Sequence, residues 1–167
     1  VGPTFGELNL RTYVTGDAGP GIYFYNLDAT DRLGVAIARA TYRLPYYNAS
    51  QRIVRRGGTI EFESERIHRG VPGCAFDADY TPRGDPVPAE SGSLTEFLLE
   101  RYRFYVEGRD TLLRGEIEHE PWQVQDVTYD VRENDLFTVN GFETPDGDSH
   151  VAYSPGVEVA AHAPRRV

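Results

Sequence analysis

Apolar and polar residues alternate along most of the chain, which is the pattern of β-strands with one buried face. In residues 5–14 the alternation places Glu7 and Arg11 on one face and Leu8 and Leu10 on the other. Turn-forming residues at 17–21 and at Gly57-Gly58 separate strands that we expect to pair as hairpins. The predicted strands are 5–14, 22–27, 51–56, 59–67, 74–80, 103–106, 112–120, 123–131, 151–153 and 157–161.

Helical periodicity is confined to two short segments. Residues 32–42 are rich in alanine, with Asp28 or Thr30 as the candidate N-cap and apolar positions at 33, 37 and 40. The helix must end before Pro45, because proline excludes the residue before it from the helical region. Ser93 and Glu96 form a capping box for a second helix over 94–101. A loop over 81–90 and a single helical turn within 134–142 complete the prediction, which is a β-dominated α+β fold with a curved antiparallel sheet.

The predicted hairpin in residues 100–125 concentrates aromatic residues, arginines and carboxylates. Four of its residues could border the mouth of a pocket, namely Arg101, Arg114, Glu116 and His119. Of these, His119 is the side chain able to move protons near neutral pH. The commoner arrangement is a cross-strand charge ladder with Trp122 packed at its end. Both interpretations stay open at this stage.

Length and composition set limits on what the chain can be. With 167 residues and 40% hydrophobic content, one domain over 1–167 is expected. All 17 basic residues are arginine and the net charge is −9, which argues against a nucleic-acid partner. Adaptation to high salt, as in a halophile, and a GC-rich genome would both explain an acidic, lysine-free composition.

Cysteine and methionine usage adds two expectations. Cys74 is the single cysteine, so no internal disulfide forms, and a cytoplasmic location follows most simply. No segment has the length of a membrane span and no signal peptide opens the chain, so no membrane partner is expected. Because the chain begins with Val1 and contains no methionine, we expect an N-terminal segment to be missing.

The sequence has none of the motifs of several familiar chemistries. The sequence lacks a glycine-rich nucleotide loop, G-x-S-x-G, paired C-x-x-C and H-E-x-x-H. Its four histidines are widely separated. We therefore predict neither a metal site nor a cofactor.

Five segments carry a family resemblance. They resemble the uncharacterised DUF2071 (YqjF-like) family over nearly the whole chain, and members of that family usually have additional residues before the E-L-N-x-R-T-Y motif. The segments are 7–14, 21–28, 38–47, 92–102 and 114–122.

The DUF2071 family is similar in turn to acetoacetate decarboxylase. That resemblance rests on Glu7, on residues 26–28, and on 37–39 followed by 44–47. It implies a sheet closed into a barrel or cone around an internal pocket lined by the matching glutamate and arginine. Where the decarboxylase has a lysine pair, this chain has Tyr46 and Tyr47. Schiff-base decarboxylation is excluded, because it needs a lysine amine and the chain has none.

The resemblance implies a set of candidate site residues. We expect Glu7, Arg11, Arg39 and Tyr46 to converge on one internal cavity. A tyrosine there could donate a hydrogen bond or a proton to a carbonyl group, and an arginine could hold a carboxylate. The structural alternatives are an ion pair between Glu7 and Arg11 and a packing role for the tyrosines. The candidate catalytic residues are Glu7, Arg39 and Tyr46, and the candidate ligand-binding residues are Arg11, Tyr47, Glu116 and His119.

Two classes of function remain. The first is a pocket for a small oxygenated or carboxylate-bearing molecule, with acid-base chemistry that needs no Schiff base. The second is a non-catalytic domain that sequesters a hydrophobic or acidic metabolite. A perturbed pKa at Glu7 or Tyr46 beside a walled cavity favours the first, and an apolar cavity with its polar groups satisfied internally favours the second. A homo-oligomer is compatible with either.

Overall fold

The computed structural model describes residues 5–108 and 110–167. Arg109, which falls in the expected turn after Gly108, lies outside the described residues. Two α-helices and ten strands are present in the described part, together with a single 3₁₀ turn at Thr138–Asn140. In chain order the elements are β1 (Glu7–Gly16), β2 (Gly19–Ala29), α1 (Arg32–Thr41), β3 (Tyr46–Arg56), β4 (Thr59–Arg66), β5 (Ala75–Pro88), α2 (Leu94–Leu99), β6 (Arg103–Glu107), β7 (Leu112–Glu118), β8 (Gln123–Asn134), β9 (Ala160–Ala161) and β10 (Arg165–Arg166).

Strand β2 organises the sheet. The expected hairpin forms, and β1 pairs antiparallel with β2 along its whole length, from Glu7 opposite Ala29 to Gly16 opposite Gly19. A strand has two edges, so the other partners of β2 share its second edge. The first half of β2 pairs there with β6, and the last three residues pair with the start of β3. Both of these pairings are parallel, so the sheet is mixed and not purely antiparallel as expected.

The sheet is open. Its strand order is β10-β7-β6-β2-β3-β4-β5-β8, with β1 and β9 attached beside β2 and β7. The expected closure into a barrel or cone is wrong, because no pairing joins the two ends of that order among the described residues. The fold is therefore a β-dominated α+β fold with two helices and an open sheet.

Alternation identified the buried face of β4 correctly. Along β4 the side chains of Ile60, Phe62, Ser64 and Arg66 are buried, while the glutamates between them face outward. On the other half of the sheet Gly115 of β7 lies opposite Phe104 of β6. A Cβ atom at that glycine would lie 2.0 Å from the Phe104 ring, so the core needs glycine there.

The central hydrophobic core consists of the buried residues Ile22, Leu27, Leu44, Phe104 and Val106.

Helix α1 differs from its prediction in its cap and in its buried face. The N-cap is Asp31, whose carboxylate accepts a hydrogen bond from the Leu33 amide, and not Asp28 or Thr30. Leu33 is 71% exposed and Ile37 is 51% exposed, whereas Val35 is 3% exposed. The helix packs on the start of β3 through the Val35 side, and periodicity alone did not reveal which apolar stripe meets the sheet.

Other boundaries changed for local reasons. Strand β5 runs on to Pro88 through the expected loop, because past Tyr80 it pairs only with β8 and proline is tolerated on a free strand edge. The capping box is half formed: Ser93 accepts from the Glu96 amide, but Glu96 accepts from the Gly92 amide. Residues 151–153 contribute one isolated bridge at Tyr153 and 157–161 shorten to β9. Neither helix in the described ranges is long and apolar enough to cross a membrane.

Candidate functional site

A cavity of about 250 Å³ lies between helix α1 and the middle of the sheet. Residues from β1, β2, β6, β7 and β9 reach it, together with the segment that leads from α1 into β3. Most of its wall is apolar. The polar groups in the wall are the Glu7 carboxylate and the phenols of Tyr42 and Tyr46. The lining residues are Glu7, Ile22, Phe24, Leu27, Ala38, Tyr42, Leu44, Tyr46, Phe104, Ile117 and Ala161.

Glu7 and Tyr46 meet at this cavity because both flank the end of β2. Glu7 pairs with Ala29 from one edge of that strand, and Tyr46 pairs with Leu27 from the other. The Tyr46 hydroxyl donates a 2.7 Å hydrogen bond to Glu7 Oε2. Two of the four residues expected to converge therefore do so.

The environment keeps Tyr46 protonated. Burial raises the pKa of the Tyr46 phenol well above its ordinary value, and the charge of Glu7 and its hydrogen bond raise it further. A phenol with a raised pKa is a poorer proton donor to a substrate, and here its proton is already held by Glu7. The pair is therefore suited to orienting a hydrogen-bonding group more than to transferring a proton.

Arg11 does not reach the cavity. Its Nη2 atom donates to the Leu98 carbonyl oxygen at 3.0 Å, and the Tyr13 hydroxyl donates to the same oxygen at 2.9 Å. Glu7 and Arg11 do not form the ion pair that was the structural alternative for them. Four residues along a strand span about 13 Å, which separates Glu7 at the start of β1 from Arg11 near its middle. Arg11 instead ties β1 to the end of α2.

Arg39 does not line the cavity. Its Nη1 atom donates to the Tyr46 carbonyl oxygen at 2.6 Å, and its guanidinium lies 5.5 Å from the centre of the Tyr47 ring. Tyr47 points away from Tyr46, as neighbours on a strand do, and its ring also packs against His68 and Arg66. Arg39 and Tyr47 are therefore together, but apart from Glu7.

Glu116 and His119 do not line the cavity, although Ile117 between them does. Glu116 forms ion pairs with Arg103 at 3.8 Å and Arg114 at 3.4 Å, which is the cross-strand charge ladder considered above. His119 stacks on Tyr102 with 4.5 Å between ring centres and contacts Trp122.

A buried ion pair was missed at the sequence level. Arg66 binds both carboxylate oxygens of Asp28, at 2.6 and 2.7 Å, and the two side chains are 4% and 1% exposed. Asn26 donates to the same carboxylate and accepts a hydrogen bond from Asn140. Arg66 shares its strand face with Ile60 and Phe62, and this alternation was the available signal that it would be buried and need a partner.

Cys74 lies near this ion pair and is buried. Burial is the main cause that raises the pKa of its thiol to about 11. Because the thiolate is the reactive form, Cys74 is not an activated nucleophile. Among the described residues no three His, Cys, Asp or Glu side chains are grouped closely enough to hold a metal ion.

Comparison with known sequences decides the family. The profile of DUF2071, described as an uncharacterized conserved protein, matches residues 1–158. This chain belongs to the DUF2071 family. The uncharacterized protein YqjF of Bacillus subtilis is 39% identical over 155 residues, which cover 93% of this DUF2071 chain and 63% of YqjF.

Solved structures show that the DUF2071 chain has an acetoacetate decarboxylase-like fold. An acetoacetate decarboxylase from Legionella pneumophila matches 98% of the chain with a TM-score of 0.65 and 11% identity. The enduracididine biosynthesis enzyme MppR, solved with pyruvate, matches 97% with a TM-score of 0.53 and 11% identity. The chain spans 66% of each of these two proteins. At this identity the likeness extends to the fold alone.

Proposed function

We propose that this DUF2071 domain binds a small, uncharged and largely apolar molecule with one hydrogen-bonding group, and that it holds the molecule without covalent attachment. The cavity between α1 and the sheet is the site. The observation that carries the proposal is an apolar cavity with one hydrogen-bonded polar pair, Glu7 and Tyr46, in its wall.

The size and lining of the cavity support a small apolar ligand. Ligand pockets usually measure about 300–1,000 Å³, so a cavity of about 250 Å³ suits a compact molecule. The apolar residues from β2, α1 and β6 would cover its carbon skeleton, and the Tyr46–Glu7 pair would orient an oxygen or nitrogen. A ligand hydroxyl could donate to Glu7, and a carbonyl oxygen could accept from Tyr46 if the phenol turned away from Glu7.

Charge favours a neutral ligand over a carboxylate. Glu7 and the two tyrosines are the ionisable residues in the lining, and no arginine or histidine from the described ranges reaches it. A ligand carboxylate would therefore meet the Glu7 carboxylate without a compensating cation. MppR was solved with pyruvate, but in this chain the acidic group makes an oxo acid the less favourable occupant.

Binding without catalysis is better supported than acid-base chemistry. The absence of lysine excludes a side-chain Schiff base, and the Tyr46 proton is held by Glu7. Sodium borohydride with acetoacetate is expected to give no side-chain adduct, which mass spectrometry of peptides would check.

Two probes of equal chain length test the ligand class. We expect 2-heptanone to bind saturably in isothermal titration calorimetry and heptanoate to bind at least about tenfold more weakly, because only heptanoate carries a charge like that of Glu7. Replacing Ala38 by leucine should fill the cavity and abolish binding. Tyr46→Phe should weaken it, whereas Tyr129→Phe removes a hydroxyl from an exposed tyrosine and serves as the matched control.

Two results would contradict the proposal. One is heptanoate binding as tightly as 2-heptanone. The other is 2-heptanone binding that survives Ala38→Leu unchanged in a protein with wild-type circular dichroism. Native mass spectrometry of the purified protein would then identify any natural ligand that is retained.

A further inference from the structure

A basic groove lies along α1 beside the start of β3 and shares no lining residue with the cavity. It consists of two adjoining depressions of about 440 and 430 Å³, which share Arg32, Asn48 and His68. Arg69 extends the groove on one side and Arg39 on the other. We use the name basic groove for these five residues. None of them lines the cavity.

The arginines of the groove have no acidic partners. No ion pair involves Arg32, Arg39 or Arg69 in the described part of the chain, and no carboxylate lines either depression. The neighbouring Asp31 is used as the cap of α1. In a chain with a net charge of −9, three unpaired arginines at one groove form a local reversal of sign. Such a reversal attracts anions while the rest of the surface repels them.

Several contacts hold the groove in shape. Arg39 is anchored by the Tyr46 carbonyl oxygen and the Tyr47 ring. His68 Nδ1 accepts a 3.2 Å hydrogen bond from the Asn48 amide, so the neutral ring carries its proton on Nε2 and presents a donor there. The Asn48 side-chain oxygen is buried and accepts no hydrogen bond from the described residues. Because this oxygen is a hydrogen-bond acceptor, the groove's donors to an anion are its arginines and His68.

We propose that the basic groove binds a small molecule through a doubly charged oxyanion group, which is a phosphate or a pair of carboxylates. Arginine offers a planar fork of donors that matches these groups. Three arginines are better matched by a ligand with two negative charges than by a ligand with one, which favours a dianion over a monocarboxylate. The groove carries arginines, whereas the wall of the cavity holds the Glu7 carboxylate, so the two sites are chemically distinct.

Calorimetric titration with inorganic phosphate and with malonate tests the groove, at constant ionic strength set by KCl. We expect saturable binding of at least one of the two anions. Arg32→Gln and Arg69→Gln should each weaken that binding about tenfold, because each removes a charge-assisted hydrogen bond. Arg83→Gln is the matched control, since Arg83 is exposed on β5 and forms no ion pair in the described residues. It should change the affinity less than about twofold.

The two anions distinguish the sources of the charge. Binding of phosphate alone would support a phosphate ester as the ligand, and binding of malonate alone would support a dicarboxylate. No saturable binding of either anion would overturn the proposal, as would an Arg83→Gln effect equal to that of Arg32→Gln. Circular dichroism checks the fold of each variant. Binding of 2-heptanone should be unchanged in Arg32→Gln, so failure at the groove is separable from failure at the cavity.

Discussion

Replacing Arg66 by methionine tests whether the buried ion pair holds the two halves of the sheet together. The guanidinium of Arg66, on β4, binds both oxygens of Asp28, on β2, and the two side chains are 4% and 1% exposed. Methionine fills much of the same volume but leaves the Asp28 carboxylate buried, with the Asn26 amide as its one remaining side-chain partner among residues 5–108 and 110–167. An unpaired buried charge is the dominant cost of such a change.

The expected loss is about 3–5 kcal/mol of unfolding free energy, from measured cases in which one partner of a buried pair is removed. At an m value of about 2 kcal/mol/M, the midpoint of urea unfolding should fall by about 1.5–2.5 M. The loss is a large share of the stability of an ordinary domain, which is about 5–15 kcal/mol. Urea unfolding followed by circular dichroism measures it directly.

Arg52→Met provides the matched control. Arg52 also pairs with a carboxylate on the neighbouring strand, Glu63, but the two side chains are 48% and 45% exposed. Water replaces the lost partner there, so the urea midpoint should stay close to that of the wild type. Equal midpoints for Arg66→Met and Arg52→Met would refute the argument from burial. A double variant, Arg66→Met with Asp28→Asn, should lose less stability than the sum of the two single changes.

Three further predictions concern packing, pH and salt. Gly115→Ala should destabilise the protein by about 1–3 kcal/mol in urea unfolding, because the new Cβ would lie 2.0 Å from the Phe104 ring. The control is Gly73→Ala, which should have little effect because the space around its Cβ is open. Because the pKa of Tyr46 is raised in the folded protein, the stability that this tyrosine contributes is complete below about pH 10 and is lost at higher pH, where the phenol of the unfolded chain ionises first. Tyr46→Phe should therefore flatten the fall in melting temperature at alkaline pH. An identical fall in the variant and the wild type would contradict this. If the acidic composition is a salt adaptation, molar KCl should raise the melting temperature, and an unchanged value would favour genome composition as its cause.

The candidate site was partly predictable from the sequence, because the family resemblance indicated which residues to consider and the strand pattern indicated which of them share a face. Resemblance indicated Glu7 and Tyr46, and the structure brings these two together. The same argument failed for Arg11 and Arg39. Residues on one face of a strand can be too far apart to share a small cavity. Arg39 binds the Tyr46 carbonyl oxygen and the Tyr47 ring, not the Tyr46 hydroxyl, which donates to Glu7.

Alternation, turn residues and the lack of lysine determined a good deal by themselves. They identified most of the strands, the buried face of β4 and the exclusion of Schiff-base chemistry, because these depend on local backbone geometry or on residue type alone. Tertiary structure decided which polar groups meet. The parallel pairing of β2 with β3 joins Tyr46 to Glu7, and the position of β4 brings Arg66 to Asp28, 38 residues away in sequence. Contacts of this kind depend on strand order, which the period of a single strand does not encode.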